Sequence, residues 1–307
     1  MTLTGMTLLG LYTCSLVALH RAGYLPPPPL VNSLCADVRL EALRDRPSLQ
    51  PTHLIVGSSV AMDNFDSSKI AFAEPEAQPL NVGFCAAQAH QVSFVARYMT
   101  ERFPSVRTVI AVVEPHDFRN CSDNTEQLFP PDAADDYIFR RRWLYGFYLR
   151  YFDLHSLQKN VRARLSEGPP GKWTDEWGDV PLNHQASGLF YGEFEGYDRT
   201  CFVALRRMAD WLEATDRRLI VASTPMNPAW SELYDGDGTV RTDFASGIRS
   251  ALGGTDAVFW DGERAYPVDR AQFVDAVHLR WPAAQGFTAA LVAQTGLDSS
   301  MRSGAGP

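Results

Sequence analysis

The sequence lacks the short motifs that mark most metal sites and nucleotide-cofactor sites. Its five cysteines include no C-x-x-C pair, and no cysteine–histidine cluster has the spacing of a zinc site. Neither a G-x-G-x-x-G fingerprint nor a Walker loop is present, and no internal repeat is found. We therefore expect a protein that works without a metal and without an organic cofactor.

Positive charge is also in short supply. The chain has 28 lysines and arginines against 36 acidic residues, which gives a net charge of −8 and a pI near 5.4. A nucleic-acid binder needs a basic face that contacts phosphates, so this composition argues against that class. The one dense basic run, Arg140-Arg141-Arg142 beside Trp143, is interpreted as a solvated helix end rather than an anion site.

Charged side chains are missing from residues 1–19, which are apolar or small but diluted by threonines. This run is borderline for a membrane span, which takes about 20 apolar residues. A secretory signal would normally begin with Lys or Arg, and neither residue precedes this run. The following "YLPPPPL" at 24–30 is typical of a stiff polyproline spacer. We predict that residues 1–30 form an apolar anchor and a spacer; a packed N-terminal helix is the alternative.

The cysteines do not decide whether the protein works in an oxidising or a reducing compartment. Cys14 lies in the apolar run, where "LYTC" is a poor match to a lipid-attachment box. The others could form two disulfides in an oxidising compartment or be buried thiols, and we favour buried thiols. These four are Cys35, Cys85, Cys121 and Cys201.

With 307 residues and 45% apolar content, the chain can bury a large core, either as one α/β domain with insertions or as two small domains. Amphipathic helical patterns occur at 89–103, 199–216 and 281–296. They alternate with runs typical of strands that are buried on both faces of a parallel sheet. These runs are "HLIVG" (53–57), "PLNVGF" (79–84), "TVIAVVE" (108–114), "RLIVAST" (218–224) and "AVFWDG" (257–262). The alternation predicts an α/β three-layer sandwich with a parallel sheet.

The predicted third and fourth strands are too far apart along the chain for a single crossover helix. We therefore predict an insertion at about 119–198, helical and aromatic in its first part and rich in Gly, Pro and aromatic residues in its second. Long irregular segments are often lids or binding loops, and a small packing layer over the sheet is the alternative. The predicted main domain spans 31–298, and residues 299–307 are predicted to be a flexible tail.

Residues with catalytic chemistry follow the predicted strands, where open α/β sheets form their sites. Gly57-Ser58-Ser59 ends the first strand, Gly83 follows the second, and Glu114-Pro115-His116-Asp117 follows the third. Asp275 and His278 stand in a D-x-x-H pattern just before the last helix. This spacing lets the carboxylate hold the imidazole Nδ1–H while Nε2 faces a serine.

In this order, the blocks resemble those of the SGNH (GDSL-type) hydrolase superfamily. The resemblance covers roughly residues 52–118 and 218–296. It implies a flavodoxin-like α/β fold with a Ser-Asp-His triad. In that triad Ser59 is the nucleophile, His278 is the base, and Asp275 is the acid that orients the base.

The resemblance also implies an oxyanion hole formed by the backbone N–H groups of Ser59 and Gly83 together with His116. The chain departs from the family pattern here, because His116 stands where the family usually has Asn, although the expected Asp117 follows it. Ser58 likewise replaces the usual Asp. A neutral histidine can donate one N–H to an oxyanion, and losing one donor costs about 10²–10³ in rate.

The Gly-Ser-Ser variant is similar to membrane-tethered members of the superfamily that work with acyl-transfer machinery on cell-envelope polymers. The resemblance therefore implies an O-acetyl esterase or O-acyltransferase that acts on an acylated carbohydrate or envelope polymer, with a membrane acyl-transfer partner. It also implies a membrane-anchored, extracytoplasmic location. Basic residues follow the apolar run and none precedes it, which favours a cytoplasmic body instead, so that placement stays open.

Other functions and ordinary structural roles are kept as alternatives. The protein could be a general small-ester carboxylesterase. It could also be a non-catalytic glycan-binding module of a polymer assembly complex, in which Trp143, Trp173 and Trp177 stack on sugars. The structural roles are a helix cap for Ser59 or Asp275, packing for His278 or His116, and a turn for Gly83.

Overall fold

The computed structural model describes residues 3–31, 33–46, 48–167, 174–183, 188–189 and 191–297. These residues belong to two compact units. The first, called the N-terminal unit, consists of residues 1–49 and 129–173. The second, called the α/β unit, consists of residues 50–128 and 174–307.

The two units divide the segment predicted as an insertion, 119–198. Its middle part, 129–173, belongs to the same unit as the N-terminus. The two ends of the predicted insertion belong to the α/β unit. The predicted tail at 299–307 and Trp173 lie outside the described residues.

The described residues of the α/β unit contain a five-stranded parallel sheet. Its strands are β1 (His53–Gly57), β2 (Pro79–Asn81), β3 (Thr108–Val113), β4 (Arg218–Ser223) and β5 (Val258–Asp261). Their order in the sheet is β2-β1-β3-β4-β5, which is the flavodoxin-like order. Each strand lies within the run predicted for it, so the predicted α/β fold with a parallel flavodoxin-like sheet is confirmed.

The helices surround this sheet and form the N-terminal unit. In chain order they are α1 (Leu3–Arg21), α2 (Leu34–Arg44), α3 (Ser59–Asp63), α4 (Ser68–Ala73), α5 (Ala89–Arg102), α6 (Pro131–Ala134), α7 (Leu144–Arg150), α8 (Leu154–Glu167), α9 (Arg199–Ala214), α10 (Pro228–Tyr234), α11 (Thr239–Leu252), α12 (Gly262–Ala265) and α13 (Trp281–Thr295). Short 3₁₀ segments occur at Pro115–Phe118 and Arg270–Gln272, and a π-helical turn at Asp135–Phe139. The three predicted amphipathic helices correspond to α5, α9 and α13.

Aligned isoleucines form the centre of the sheet. Ile55, Ile110 and Ile220 are register partners in neighbouring strands and are fully buried. Burying one such side chain stabilises the fold by about 1.5–3 kcal/mol. Helices α5 and α9 contact each other and the sheet, while α4 and α13 form a second contacting pair against it. Because both faces are covered, β1 and β3 are buried along their whole length.

Helix α1 packs inside the N-terminal unit rather than standing free. Leu16 of α1 lies in a buried cluster with Leu25 and Tyr148, and the Tyr148 hydroxyl donates a hydrogen bond to the Pro26 carbonyl. Residues 26–28 are buried, so the proline segment packs within this unit. None of the helices in the described residues is both long and apolar enough to cross a membrane.

Cys121 and Cys201 form a disulfide within the α/β unit. The preference for buried thiols is therefore wrong for this pair. The bond joins the segment that follows the Pro115–Phe118 turn to α9. Cys14 in α1 is a free and exposed thiol.

Candidate active site

A sharp turn after β1 presents the first candidate residue. Gly57 ends β1 with a φ of 154°, and a Cβ at this position would lie 2.1 Å from the Val112 carbonyl oxygen of β3. Only glycine permits this close approach. Ser58 follows in an extended conformation and Ser59 begins α3, so the Ser59 side chain lies at the carboxyl edge of the sheet.

Ser59, His278 and Asp275 are joined by hydrogen bonds in one continuous line. His278 Nε2 lies 2.8 Å from the Ser59 hydroxyl oxygen, and His278 Nδ1 lies 2.7 Å from Asp275 Oδ2. Because a carboxylate accepts, Nδ1 carries a proton, and Nε2 is left to accept from the Ser59 hydroxyl. The structure thus brings together the three residues predicted as nucleophile, base and orienting acid.

The loop before α13 holds the D-x-x-H residues in a tight turn. Asp275 Oδ1 accepts the backbone N–H groups of Val277 and His278 at 2.9 and 2.8 Å. Phe273 and Leu279 pair as an antiparallel bridge at the base of the loop. These bonds explain how a short spacing in sequence places the carboxylate and the imidazole side by side.

Opposite pKa shifts accompany the contact between His278 and Asp275. Burial lowers the pKa of His278, but its hydrogen bond to Asp275 and the negative charges of Asp63 and Asp275 outweigh burial, so this pKa is raised. Burial raises the pKa of Asp275, but the hydrogen bond and charge of His278 outweigh it, so this pKa is lowered. Asp63 Oδ2 lies 3.5 Å from His278 Nε2. The surroundings therefore stabilise the protonated form of His278, which makes the neutral imidazole a stronger proton acceptor.

Tyr191 is a site residue that no sequence motif reveals. Its side chain hydrogen-bonds to Ser59. Its ring centroid lies 4.9 Å from that of His116 and 6.4 Å from that of His278. Burial, with the added negative charge of Glu114, raises the pKa of Tyr191, so its phenol stays protonated.

His116 and Glu114 form a second histidine–carboxylate pair at the same edge of the sheet. Both side chains are buried, and they lie at the start of the 3₁₀ segment that follows β3. Glu114 Oε2 lies 2.8 Å from both the backbone nitrogen and Nδ1 of His116. His116 Nε2 is buried and has no hydrogen-bond partner among the described residues.

Asp117 is a second buried carboxyl group next to this pair. Its Oδ2 accepts the Glu114 backbone N–H at 3.1 Å, and its side chain also bonds to Ser58. Burial and the negative charge of Glu114 raise the pKa of Asp117 well above its usual value. The site therefore holds two buried carboxyl groups side by side, and their closeness disfavours the charged form of Asp117.

Gly83 lies beside α3, where an added Cβ would approach the side chains of Ala61 and Met62 to 3.0 Å. Its backbone N–H donates to Asn81 Oδ1 at 3.0 Å. Asn81 Nδ2 in turn donates to the Ala61 carbonyl and to Asp179 Oδ1, at 2.6 and 2.7 Å. The structure thus places Gly83 next to the helix of Ser59 but engages its N–H with a side chain, and its oxyanion role stays a prediction.

The chemistry that this edge can support is attack by a hydroxyl on a carbonyl carbon. It combines a serine within reach of a neutral histidine acceptor and a carboxylate that orients the histidine. Among the described residues, no group of three or more His, Cys, Asp or Glu side chains is arranged to hold a metal ion.

Comparison with solved structures finds similarity to esterases and lipases. The chain is similar to a carbohydrate acetylesterase family member from Sinorhizobium meliloti, with 11% identity, a TM-score of 0.39, and coverage of 80% of this chain and 98% of that chain. A GDSL-like lipase from Bacteroides thetaiotaomicron gives 12% identity, a TM-score of 0.42, and coverage of 85% and 97%. An α/β hydrolase from the metagenome of Lake Arreo, Spain, gives 13% identity and a TM-score of 0.44, with coverage of 81% of this chain and 96% of that chain. No protein-family model and no curated protein matches the chain.

Proposed function

We propose that the protein carries out serine-dependent acyl-ester chemistry on a carbohydrate or cell-envelope polymer, as an O-acetyl esterase or O-acyltransferase. The observation that carries this proposal is the hydrogen-bonded line from Ser59 through His278 to Asp275, with distances of 2.8 and 2.7 Å. Both distances are within the reach that an activated nucleophile needs. A serine that only caps a helix, or a histidine that only packs, would need neither contact.

In the first half-reaction, Ser59 Oγ attacks the acyl carbon while its proton passes to His278 Nε2. The bond between the acyl carbon and the leaving alcohol then breaks, and His278 gives the same proton to that alcohol. Asp275 accepts the hydrogen bond from Nδ1 throughout and stabilises the transient imidazolium. The product of this step is an acyl ester on Ser59.

In the second half-reaction, a hydroxyl group attacks the acyl carbon while its proton passes to His278 Nε2. The bond to Ser59 Oγ breaks, and His278 returns the proton to the serine. Attack by water gives ester hydrolysis, and attack by a sugar hydroxyl gives O-acyl transfer. Since both reactions share one acyl-enzyme, the same residues serve either outcome.

The oxyanion that forms in each half-reaction is assigned to the backbone N–H groups of Ser59 and Gly83 together with His116. Each preorganised donor is worth about 10²–10³ in rate. The absence of a partner for His116 Nε2 among the described residues supports this assignment. Gly83 joins the hole when Asn81 Oδ1 yields its N–H to the substrate.

The substrate is assigned as an O-acetyl group on a neutral or weakly charged glycan. The net charge of −8 disfavours long-range attraction of a strongly anionic polymer. The partly buried Tyr191 and Phe194 supply apolar and aromatic surface next to the buried histidines. Aromatic faces of this kind suit the apolar faces of sugar rings.

The N-terminal unit is assigned to a membrane surface on the extracytoplasmic side, where a membrane acyl-transfer partner can supply the acyl group. Met6, Leu8 and Leu11 of α1 are about 60% exposed, and apolar side chains on one helix suit attachment to the interface of a bilayer. The Cys121–Cys201 disulfide is typical of oxidising compartments outside the cytosol. Flotation of the full chain with lipid vesicles should be reduced in a Leu8→Glu, Leu11→Glu variant.

The test of the reaction uses the full chain, because α1 packs within its unit. The protein is incubated with an acetylated glycan, and separately with p-nitrophenyl acetate plus an unacetylated glycan, while acetate release and glycan mass are followed. Release alone identifies an esterase, and a gain in glycan mass identifies a transferase. Ser59→Ala should remove either activity.

Two outcomes would favour the other functions. Tight glycan binding that survives Ser59→Ala, without acetate release or mass gain, would support a non-catalytic glycan-binding module. Rapid hydrolysis of small esters, with no action on any glycan, would support a general carboxylesterase.

A further inference from the structure

A cavity of about 320 Å³ lies beyond the carboxyl ends of β4 and β5. Pro225 and Met226 line it after β4, and Glu263 lines it after β5. All of its lining residues belong to the α/β unit. Ligands of open α/β sheets bind at the carboxyl ends of the strands, in pockets of about 300–1,000 Å³. The cavity therefore has the place and the size that one small ligand needs.

The cavity adjoins the catalytic site without being part of it. Asn227 stands between two lining residues, Met226 and Pro228. It donates its backbone N–H to the Ala276 carbonyl at 2.9 Å and its side-chain Nδ2 to the Asp275 carbonyl at 2.8 Å. None of the three triad residues lines the cavity. A polymer that lies along this edge of the sheet would therefore pass from the nucleophile to the cavity.

Two carboxylates of the cavity are held in fixed positions. Glu263 Oε1 accepts from Arg241 Nη1 at 3.0 Å, and Glu263 Oε2 accepts the Met226 backbone N–H at 2.8 Å. Asp235 Oδ2 accepts from Arg241 Nε at 2.7 Å. A carboxylate has about four lone-pair sites and a guanidinium has about five N–H donors. Glu263 and Arg241, which are 23% and 33% exposed, therefore keep acceptors and donors for a ligand.

Two buried hydroxyl groups at this place have no hydrogen-bond partner among the described residues. Ser231 lines the cavity and is 7% exposed. Thr224 is 2% exposed and lines a smaller cavity, which shares Met226, Arg241 and Glu263 with the first. A buried polar group without a partner is destabilising. Both hydroxyls are therefore suited to polar groups that arrive with a ligand.

The wall of the cavity favours an uncharged ligand with many hydroxyl groups. Three carboxylates and one guanidinium line it, so the wall is net negative and disfavours an anion. A small cation is disfavoured as well, because Arg241 already pairs with Asp235 and Glu263. A sugar hydroxyl donates and accepts, so it can use the acceptors and donors of this wall. Three prolines add apolar surface for the C–H faces of a sugar ring: Pro225, Pro228 and Pro267.

We propose that this cavity is a subsite for an uncharged sugar unit of the substrate polymer, other than the unit that carries the ester. The inference deepens the function proposed above and rests on it. The polymer lies along the carboxyl edge of the sheet, with its ester at Ser59 and a second sugar unit at Ser231, Arg241 and Glu263. Binding of this remote unit positions the ester for attack. A small ester lacks the second unit and gains nothing from the cavity.

The first test is methyl NMR of full-length Ser59→Ala protein with labelled methionines. Met226 lines the cavity, whereas Met62 lies in α3, the helix that Ser59 begins. Their signals are assigned by their loss in Met226→Leu and Met62→Leu. The probes are glucose, galactose and N-acetylglucosamine, with glucuronate as the anionic control. At least one uncharged sugar should shift the Met226 signal more than the Met62 signal, and glucuronate should shift neither.

Two variants close the cavity from different sides. Ser231→Leu fills it from α10, and Pro267→Trp covers its exposed rim, so each should remove the Met226 shift. Leu233→Ser is the matched control and should keep the shift, since Leu233 is 67% exposed on the same helix and does not line the cavity. Circular dichroism confirms that each variant is folded. The inference fails if no uncharged sugar shifts Met226, if glucuronate shifts it equally, or if the shift survives in a folded closing variant.

The second test compares hydrolysis of an acetylated glycan with hydrolysis of p-nitrophenyl acetate. In Pro267→Trp, the ratio of the two kcat/KM values should fall about tenfold or more, because only the glycan reaches the cavity. Leu233→Ser should keep the wild-type ratio. A wild-type ratio in Pro267→Trp would overturn this inference alone. Absence of action on every glycan by the wild type would instead overturn the proposed function.

Discussion

Two buried histidines stand at opposite ends of the sheet and differ in the direction of their pKa shifts. His53 begins β1 and is 6% exposed, whereas His278 lies at the carboxyl edge and is 8% exposed. Burial, followed by the positive charge of Arg218, lowers the pKa of His53 to about 4. The pKa of His278 is raised. Since burial is nearly equal, the neighbours decide the direction.

The geometry of the neighbouring carboxylates accounts for this difference. Glu74 lies 3.6 Å from His53 Nε2, which is too long for a hydrogen bond. Asp275 lies 2.7 Å from His278 Nδ1, and Asp63 adds a second negative charge. Of these two histidines, the one in hydrogen-bond contact with a carboxylate has a raised pKa, and the one without such a contact has a lowered pKa.

The largest expected effect comes from replacing His278, and the matched replacement of His53 should have almost none. His278→Gln should lower kcat about 10⁶-fold, because the nucleophile loses its base. His53→Gln should leave kcat within about twofold of wild type, as expected for a residue far from the chemistry. Steady-state hydrolysis of p-nitrophenyl acetate measures both variants. Equal losses in the two would show that stability, not the contact with Ser59, is being measured.

The next effect comes from the carboxylates. Asp275→Asn should lower kcat about 10⁴-fold, because the amide can hold the wrong tautomer of His278. Glu74→Gln is the matched change at the other end of the sheet and should leave kcat unaltered. Retention of activity in Asp275→Asn would mean that the 2.7 Å contact does not orient the base.

A smaller effect is expected for Asp63→Asn. Removing this charge should lower the pKa of His278, since Asp63 is one of the groups that raise it. The acidic limb of the kcat/KM profile should then move to lower pH, while activity at the optimum changes less than about tenfold. If the limb stays in place, Asp63 does not act on the base.

The last effect concerns stability rather than activity. His53 has a folded pKa of about 4 against an ordinary value of 6.5, so the folded state binds fewer protons in this window. Stability is complete above about pH 6.5 and is lost as the pH falls towards 4, by about 3 kcal/mol. His278 has the opposite sign, and its contribution is lost as the pH rises through its folded pKa.

Urea unfolding of wild type and His53→Gln at several pH values measures the His53 contribution. As the pH falls from 6.5 to 4, the wild type should lose unfolding free energy that the variant keeps, because the variant lacks the titrating ring. A constant difference over this range would show that His53 titrates alike in the folded and unfolded states.

The elements that the sequence predicts well are those set by local pattern. Continuous β-branched runs such as residues 108–113 have no solvent-facing side, so they indicate buried parallel strands directly. The turn at Gly57 and the D-x-x-H spacing are local as well. Ser59, Asp275 and His278 could therefore be predicted from the sequence as members of one site, since the carboxyl ends of parallel strands lie at one edge of the sheet.

The elements that the sequence does not predict depend on contacts between distant segments. Nothing in the apolar run at 1–19 indicates that it packs with Tyr148. The pairing of Glu114 with His116 requires the 3₁₀ turn after β3, and the contact of Tyr191 with Ser59 comes from an irregular segment without period. Such contacts follow from the tertiary fold and leave no local signature.

The most direct test of the central claim is covalent labelling of the full chain with a fluorophosphonate, followed by peptide mass spectrometry. A fluorophosphonate reacts with a serine that a neighbouring base activates. We predict one adduct, on Ser59, that is strongly reduced in His278→Gln and unchanged in His53→Gln. An adduct on another residue, or no adduct on the folded wild-type protein, would contradict acyl chemistry at Ser59.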